Sequence, residues 1–141
     1  MNQIHKSTCY CTNIRRSTNI ISAIYDSALK ETELTVAQYC LLINLSRLGS
    51  ANITHWAEHV GLDRSTMVRN IKPLQNRGLI ETAEGHGKAF ALSEKGKTVL
   101  NQAIPKWQEA QMKMEEILGK DDAEALLRIY EKLQQNSGLT I

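Results

Sequence analysis

The sequence predicts a mainly α-helical fold with a small β-hairpin wing, and three observations carry that prediction. Apolar residues recur at three- and four-residue spacing through most of the chain, from Ile14 to Leu133. There are two prolines, Pro73 and Pro105, in a composition rich in Leu, Ile, Ala, Gln, Lys and Glu, which favours helix. One segment breaks the helical period: short apolar runs at 79–83 and 89–92 flank Gly85-His86-Gly87, the pattern of two strands joined by a turn. At 141 residues the chain has the length of one domain with its own core.

Residues 1–12 have no period and read as an irregular lead-in. From Asn13, Ile14, Ile21, Ile24, Tyr25, Ala28 and Leu29 mark the apolar stripe of a helix ending near Lys30. Arg15 and Arg16 lie at its start, where the helix dipole does not favour them; they read as solvated, with a phosphate contact or an inter-subunit ion pair as the sharper alternative. Thr35-Val-Ala-Gln38 is a capping box, flanked by Leu34 and Tyr39 as a hydrophobic staple. The helix that follows runs to Leu48, with Gly49 placed to stop it. It is apolar nearly all round and is expected at the centre, with Cys40 a packed core thiol.

Asn52 is suited to cap a short helix, Ile53 to Val60, whose Ile53, Trp56, Ala57 and Val60 share one face. Gly61-Leu62 makes a tight turn and Asp63 caps the next helix, Arg64 to about Asn76, giving helix-turn-helix geometry. In that helix Met67, Val68, Ile71 and Leu74 are expected to be buried. Winding at about 100° per residue puts Ser65, Thr66, Arg69, Asn76 and the flank of Lys72 on the other side. Asn70 lies at the edge of that face, and Arg64 is rotated toward the apolar side. Pro73 should kink or loosen the last part of the helix. After Gly78, the strands form a wing whose polar tip residues are His86 and Lys88. Ser93 caps a long helix bent at Pro105, and Asp121 caps a last helix carrying Leu126, Leu127, Tyr130 and Leu133.

Charge is distributed unevenly. The whole chain carries a net +2, whereas residues 64–80 contain Arg64, Arg69, Lys72 and Arg77 and no acidic residue, so the rest sums to −2. Residues 94–137 hold seven basic and eight acidic side chains and form no electrostatic footprint for nucleic acid. An acid-free basic helix behind a tight turn is suited to the major groove, where Arg69, Ser65 and Thr66 can meet base edges. Arg64, Lys72, Arg77 and Lys88 are placed to hold phosphates. No apolar run approaches the roughly 18 residues of a membrane span, and the N-terminus MNQIHKSTCYC has no apolar signal region. A cytoplasmic protein is expected. Three cysteines do not suggest a disulfide scaffold.

Two other motifs carry chemistry. His55-Trp-Ala-Glu58-His59 matches the H-x-x-E-H pattern of some zinc peptidases. It lies on a short helix with no identifiable third ligand, so a solvated polar face is expected, with no enzyme, no metal and no cofactor. Cys9-x-Cys11 is a candidate redox pair, with Lys6, Arg15 and Arg16 near enough in sequence to lower a thiol pKa; inert thiols are the plainer reading.

Beyond these residue-level readings, the sequence resembles the MarR family of transcriptional regulators over almost its whole length. The resemblance rests on Trp56-Ala57, Gly61-Leu62-Asp63-Arg64-Ser65-Thr66, Arg69, Leu74, Arg77-Gly78-Leu79-Ile80 and Leu92-Ser93-Glu94-Lys95-Gly96. It implies a single domain over 1–141, with 1–34 and 94–141 forming dimerisation helices and 35–93 the winged helix-turn-helix. It also implies a homodimeric repressor on double-stranded DNA with an inverted-repeat operator, the recognition helix in the major groove and the wing tip in the minor groove. Release by a small aromatic ligand or by thiol oxidation is implied too, with Tyr25, Tyr39, Trp56 and Trp107 as candidate pocket residues. Two positions depart from the family pattern. The wing tip, Glu84-Gly85-His86-Gly87-Lys88, lacks the usual Asp-x-Arg, and Trp56 stands where leucine is usual. The alternatives are a protein-interaction module or a metal-responsive regulator. Four phosphate contacts per subunit would give a dimer a log–log salt slope of about −7.

Overall fold

The computed structural model describes residues 7–83 and 88–138. In chain order it has α1 (Tyr10–Leu29), a single 3-10 turn (Lys30–Thr32), α2 (Val36–Leu48), β1 (Ser50–Asn52), α3 (Ile53–Val60), α4 (Arg64–Asn76), β2 (Ile80–Ala83), β3 (Ala89–Leu92) and α5 (Glu94–Asn136). The strands form one antiparallel sheet in the order β1-β3-β2. In it Phe90 stands opposite Ala51 on one side and Thr82 on the other.

Local polar chemistry sets most of the helix starts. The Thr35 hydroxyl accepts from the Gln38 N–H at 3.1 Å while the Gln38 side chain accepts from the Thr35 N–H at 3.0 Å, so the expected capping box is present. The Asn52, Asp63 and Ser93 side chains likewise accept from the N–H three residues on. A further lock ties α1 to α2: the Asp26 carboxylate accepts from the Val36 N–H at 2.7 Å.

The core lies between α2, α3, α4, the sheet and the first turns of α5. Leu42, Leu45, Trp56, Met67, Leu74 and Leu79 are fully buried there, each contributing on the order of 1.5–3 kcal/mol. Trp56 satisfies its indole N–H by donating to the Leu41 carbonyl at 3.1 Å, and its ring packs on Phe90. α5 meets this core closely at Gly96: a side chain there would place its first carbon 1.9 Å from the Leu79 carbonyl oxygen, so only glycine fits.

The structure departs from the sequence expectations at several places. α1 begins at Tyr10 rather than Asn13. β1 adds a third strand where only a two-stranded wing was expected; three residues between Gly49 and a helix cap have no period of their own and become a strand by pairing with β3. Cys40 is exposed rather than packed in the core. It lies on the one side of α2 that Tyr39, Leu41, Leu42 and Leu45 leave uncovered, although burial by its neighbours still pushes its thiol pKa up. By contrast, α4 runs through Pro73 to Asn76, the end that the sequence indicates. Helical dihedrals in α5 fail at Gly119 (φ 76°, ψ 166°), not at Pro105, and the last segment begins there rather than at an Asp121 cap. That backbone conformation belongs almost entirely to glycine. No described helix is long and apolar enough to cross a membrane.

Candidate nucleic-acid interface

The base of the site is the turn between α3 and α4. Gly61 takes the left-handed conformation there, and two residues later Asp63 gathers the N-terminus of α4. One Asp63 oxygen accepts from the Thr66 N–H at 2.8 Å and the Ser65 hydroxyl at 2.7 Å, and the other accepts from the Thr66 hydroxyl at 2.9 Å. The Thr66 N–H and these hydroxyls favour the carboxylate, and Arg69 adds a smaller contribution. Together they lower the Asp63 pKa from 3.8 to about 2. Arg69 extends the chain by donating to the Thr66 hydroxyl oxygen at 3.4 Å. The line Asp63–Thr66–Arg69 therefore restrains the arginine before any ligand arrives.

Arg64 donates to the Thr54 hydroxyl at 3.0 Å, linking the start of α4 to α3. One N–H of five is used by that bond, leaving others for an anion. Ser65, Arg69 and Lys72 are exposed. Asn70 is half-buried and donates to the Thr66 carbonyl at 2.7 Å, so its amide N–H is turned back on the helix. In the wing, Lys88 is exposed and its ammonium lies 5.6 Å from the Phe90 ring centre. His86 and the rest of the expected tip, residues 84–87, lie outside the described residues.

Arg77, which caps the end of α4, has partners elsewhere in the chain, and one burial expectation in α4 needs correction. Arg77 turns away from the face that holds Arg69. Its guanidinium donates to the Glu33 carbonyl at 2.7 Å and the Thr32 carbonyl at 3.3 Å, with the Glu33 carboxylate 3.9 Å away. It fastens the end of α4 to the turn after α1, where Glu33 holds a left-handed backbone (φ 59°), and this use competes with holding a phosphate. Val68 is 48% exposed rather than buried. Met67, Ile71 and Leu74 define the buried arc, and at about 100° per residue Val68 falls roughly a quarter turn from its centre. With Arg64, Ser65 and Arg69 it lines a shallow depression on the outer surface. Val68 is apolar, but its winding angle sets it outside the core.

The other candidate groups are dispersed. Tyr39 stacks on Trp107 with ring centres 5.9 Å apart, and Tyr25 lies 6.5 Å from Trp107. Tyr39 and Trp107 line a cavity of 330 Å³ with Cys40, Asn44 and Arg47. Tyr25 instead lines a second cavity of 480 Å³ between α1 and α5, beside Met114, Leu118 and Leu127, and donates a hydrogen bond to Gln111. Trp56 joins neither cavity because it is sealed in the core. Cys9 and Cys11 are exposed. The Cys9 pKa is lowered by hydrogen bonds from Thr12, first its side chain and then its backbone. His55, Glu58 and His59 are exposed, and the described residues contain no group of three or more His, Cys, Asp or Glu side chains able to hold a metal ion.

Comparison with known proteins adds a family to this geometry. Residues 34–83, from two residues before α2 to the end of β2, match the MarR family model. Over that segment the chain is similar to the MarR family. The likeness extends beyond the matched segment. The M. tuberculosis transcriptional regulator MosR is 28% identical with a TM-score of 0.77, over 93% of this chain and 96% of that one. MosR in complex with DNA gives 24% and 0.79, over 93% and 99%. The transcriptional repressor CouR bound to p-coumaroyl-CoA gives 22% and 0.82, over 91% and 93%. The two matches below 25% identity are likenesses of fold.

Proposed function

We propose that this chain is a DNA-binding transcriptional regulator of the MarR type, working in the cytoplasm as a homodimer and without enzymatic activity. One observation carries the reading: α4 presents Arg64, Ser65, Arg69 and Lys72 on an exposed surface free of acidic residues from 64 to 80. That surface follows a capped turn which holds the helix at the protein's edge. Arg69, with Ser65 and Thr66 beside it, reads bases; Arg64, Lys72 and Lys88 hold phosphates. The DNA complex of MosR, a protein of the same fold, supports this use of the fold.

Residues 1–34 and 94–141 supply the dimer. Their exposed apolar side chains, Ile14, Ile20, Ile117, Leu127, Tyr130 and Leu133 among them, support a second copy as their cover. Two-fold symmetry then asks for an inverted-repeat operator with half-sites about one helical turn apart. Binding represses, and a small aromatic ligand, or oxidation at Cys9 or Cys11, releases it. The Tyr39–Trp107 cavity and the ligand-bound state of CouR support the first route, and the exposed Cys9 with its lowered pKa supports the second.

The role assignment is tested by comparing Arg69→Ala with Lys72→Ala on a selected operator and on random duplex. Arg69→Ala is expected to lose discrimination by about tenfold or more, and Lys72→Ala to weaken both duplexes about equally. Equal behaviour of the two variants would overturn the assignment.

A further inference from the structure

Among the described residues of α4, Val68 is the large apolar side chain left exposed. Val68 sits at 48% exposure between cations, with Arg64 one turn before it and Arg69 and Lys72 after it. Its depression is shallow and open, lined by Arg64, Ser65, Val68 and Arg69. A large protein partner would bring more apolar surface than one valine can meet. The flanking charges instead suit a polyanion that offers a small apolar group between its phosphates and its base edges. Duplex DNA has one such group in the major groove, the C5-methyl of thymine.

The geometry points to Val68 as a specificity-determining residue that selects thymine by contact with its methyl group, an inference that rests on the DNA-reading function proposed above. The arginines on either side fix the register: Arg64 is held to α3 through Thr54 and Arg69 is restrained through Thr66. Val68 is β-branched and has few rotamers in a helix, so its methyls are presented at a defined depth. Ser65, one turn earlier, holds its hydroxyl on Asp63 at 2.7 Å. That leaves Val68 as the apolar contact of this patch.

The test uses the full-length protein and a duplex selected from a random pool, remade with each thymine in turn replaced by deoxyuridine, which removes only the methyl. The wild-type protein is expected to bind about fourfold more weakly when one particular thymine of a half-site is replaced, the loss of roughly one buried methyl. Val68→Ala is expected to bring that thymine-to-uracil ratio near one, with an unchanged melting temperature because the residue is on the surface. Lys72→Ala should weaken binding and leave the ratio intact. A selected half-site without a fixed thymine, or a ratio unchanged in Val68→Ala, would overturn the inference while leaving DNA reading in place. Failure to select any sequence would overturn DNA reading itself, and this inference with it.

Discussion

The reading head and the outer helices use apolar residues in opposite ways. Between α2 and the first turns of α5, the large apolar side chains are mostly enclosed: Trp56, Met67, Leu74, Leu79 and Phe90 are buried to within 1%. In α1 and the segment after Gly119 the spacing is just as regular, yet Leu127 is 65% exposed and Tyr130 60% exposed. The periodicity is the same, but only the head has its cover within the chain. A helix stripe is evidence of a partner surface, and the sequence does not say whether that surface belongs to the same molecule.

Breaking the head should have the largest effect. Gly96→Ala forces a methyl into the Leu79 carbonyl, and a loss of about 3 kcal/mol is expected in urea unfolding. Wild-type stability in that variant would mean that α5 and Leu79 can separate at little cost. Breaking the outer stripe should act on assembly instead. Leu127→Glu with Leu133→Glu is expected to weaken self-association by on the order of a hundredfold, read as mass by light scattering over a dilution series. The unmatched helical content of the head should persist in circular dichroism. An unchanged mass would assign the exposed stripe to something other than a second copy.

These two regions also differ in how legible they were. The caps at Thr35, Asn52, Asp63 and Ser93 could be read because each depends on a side chain and a backbone N–H three residues apart. What could not be read depends on neighbours distant in sequence. β1 exists through its pairing with β3, and Arg77 finds its carbonyls forty-four and forty-five residues back along the chain. Trp56 shares its aromatic character with Tyr39 and Trp107, but it packs against Phe90 of the sheet. Cys40 and Val68 have the chemistry of core residues, but their helix angles put them outside it. The kink fell to Gly119 rather than to either proline, because helices accommodated Pro73 and Pro105 on exposed sides.

Arg77 sharpens the boundary between the two regions, since it ties the reading helix to the turn that follows α1. Arg77→Ala removes hydrogen bonds to two carbonyls and is expected to lower stability by about 1–2 kcal/mol without changing the salt dependence of DNA binding. A changed salt slope would restore Arg77 to the phosphate contacts. The smallest effect concerns Asp63. Its folded pKa of about 2 lies below the ordinary 3.8, so its stabilising contribution is complete above pH 3.8 and is lost as the pH falls through about 2. Asp63→Asn keeps a capping oxygen and should remove that portion of the acid loss in thermal melts. An identical acid profile in both proteins would show that the Asp63 network does not persist in solution.

The salt dependence of binding tests the central claim most directly. With Arg77 bonded to Thr32 and Glu33, the phosphate contacts proposed above are three per subunit, from Arg64, Lys72 and Lys88. A dimer on its selected duplex should then give a log–log salt slope of about −5 in an anisotropy titration. A slope near zero would contradict the reading of α4 as a DNA-binding surface.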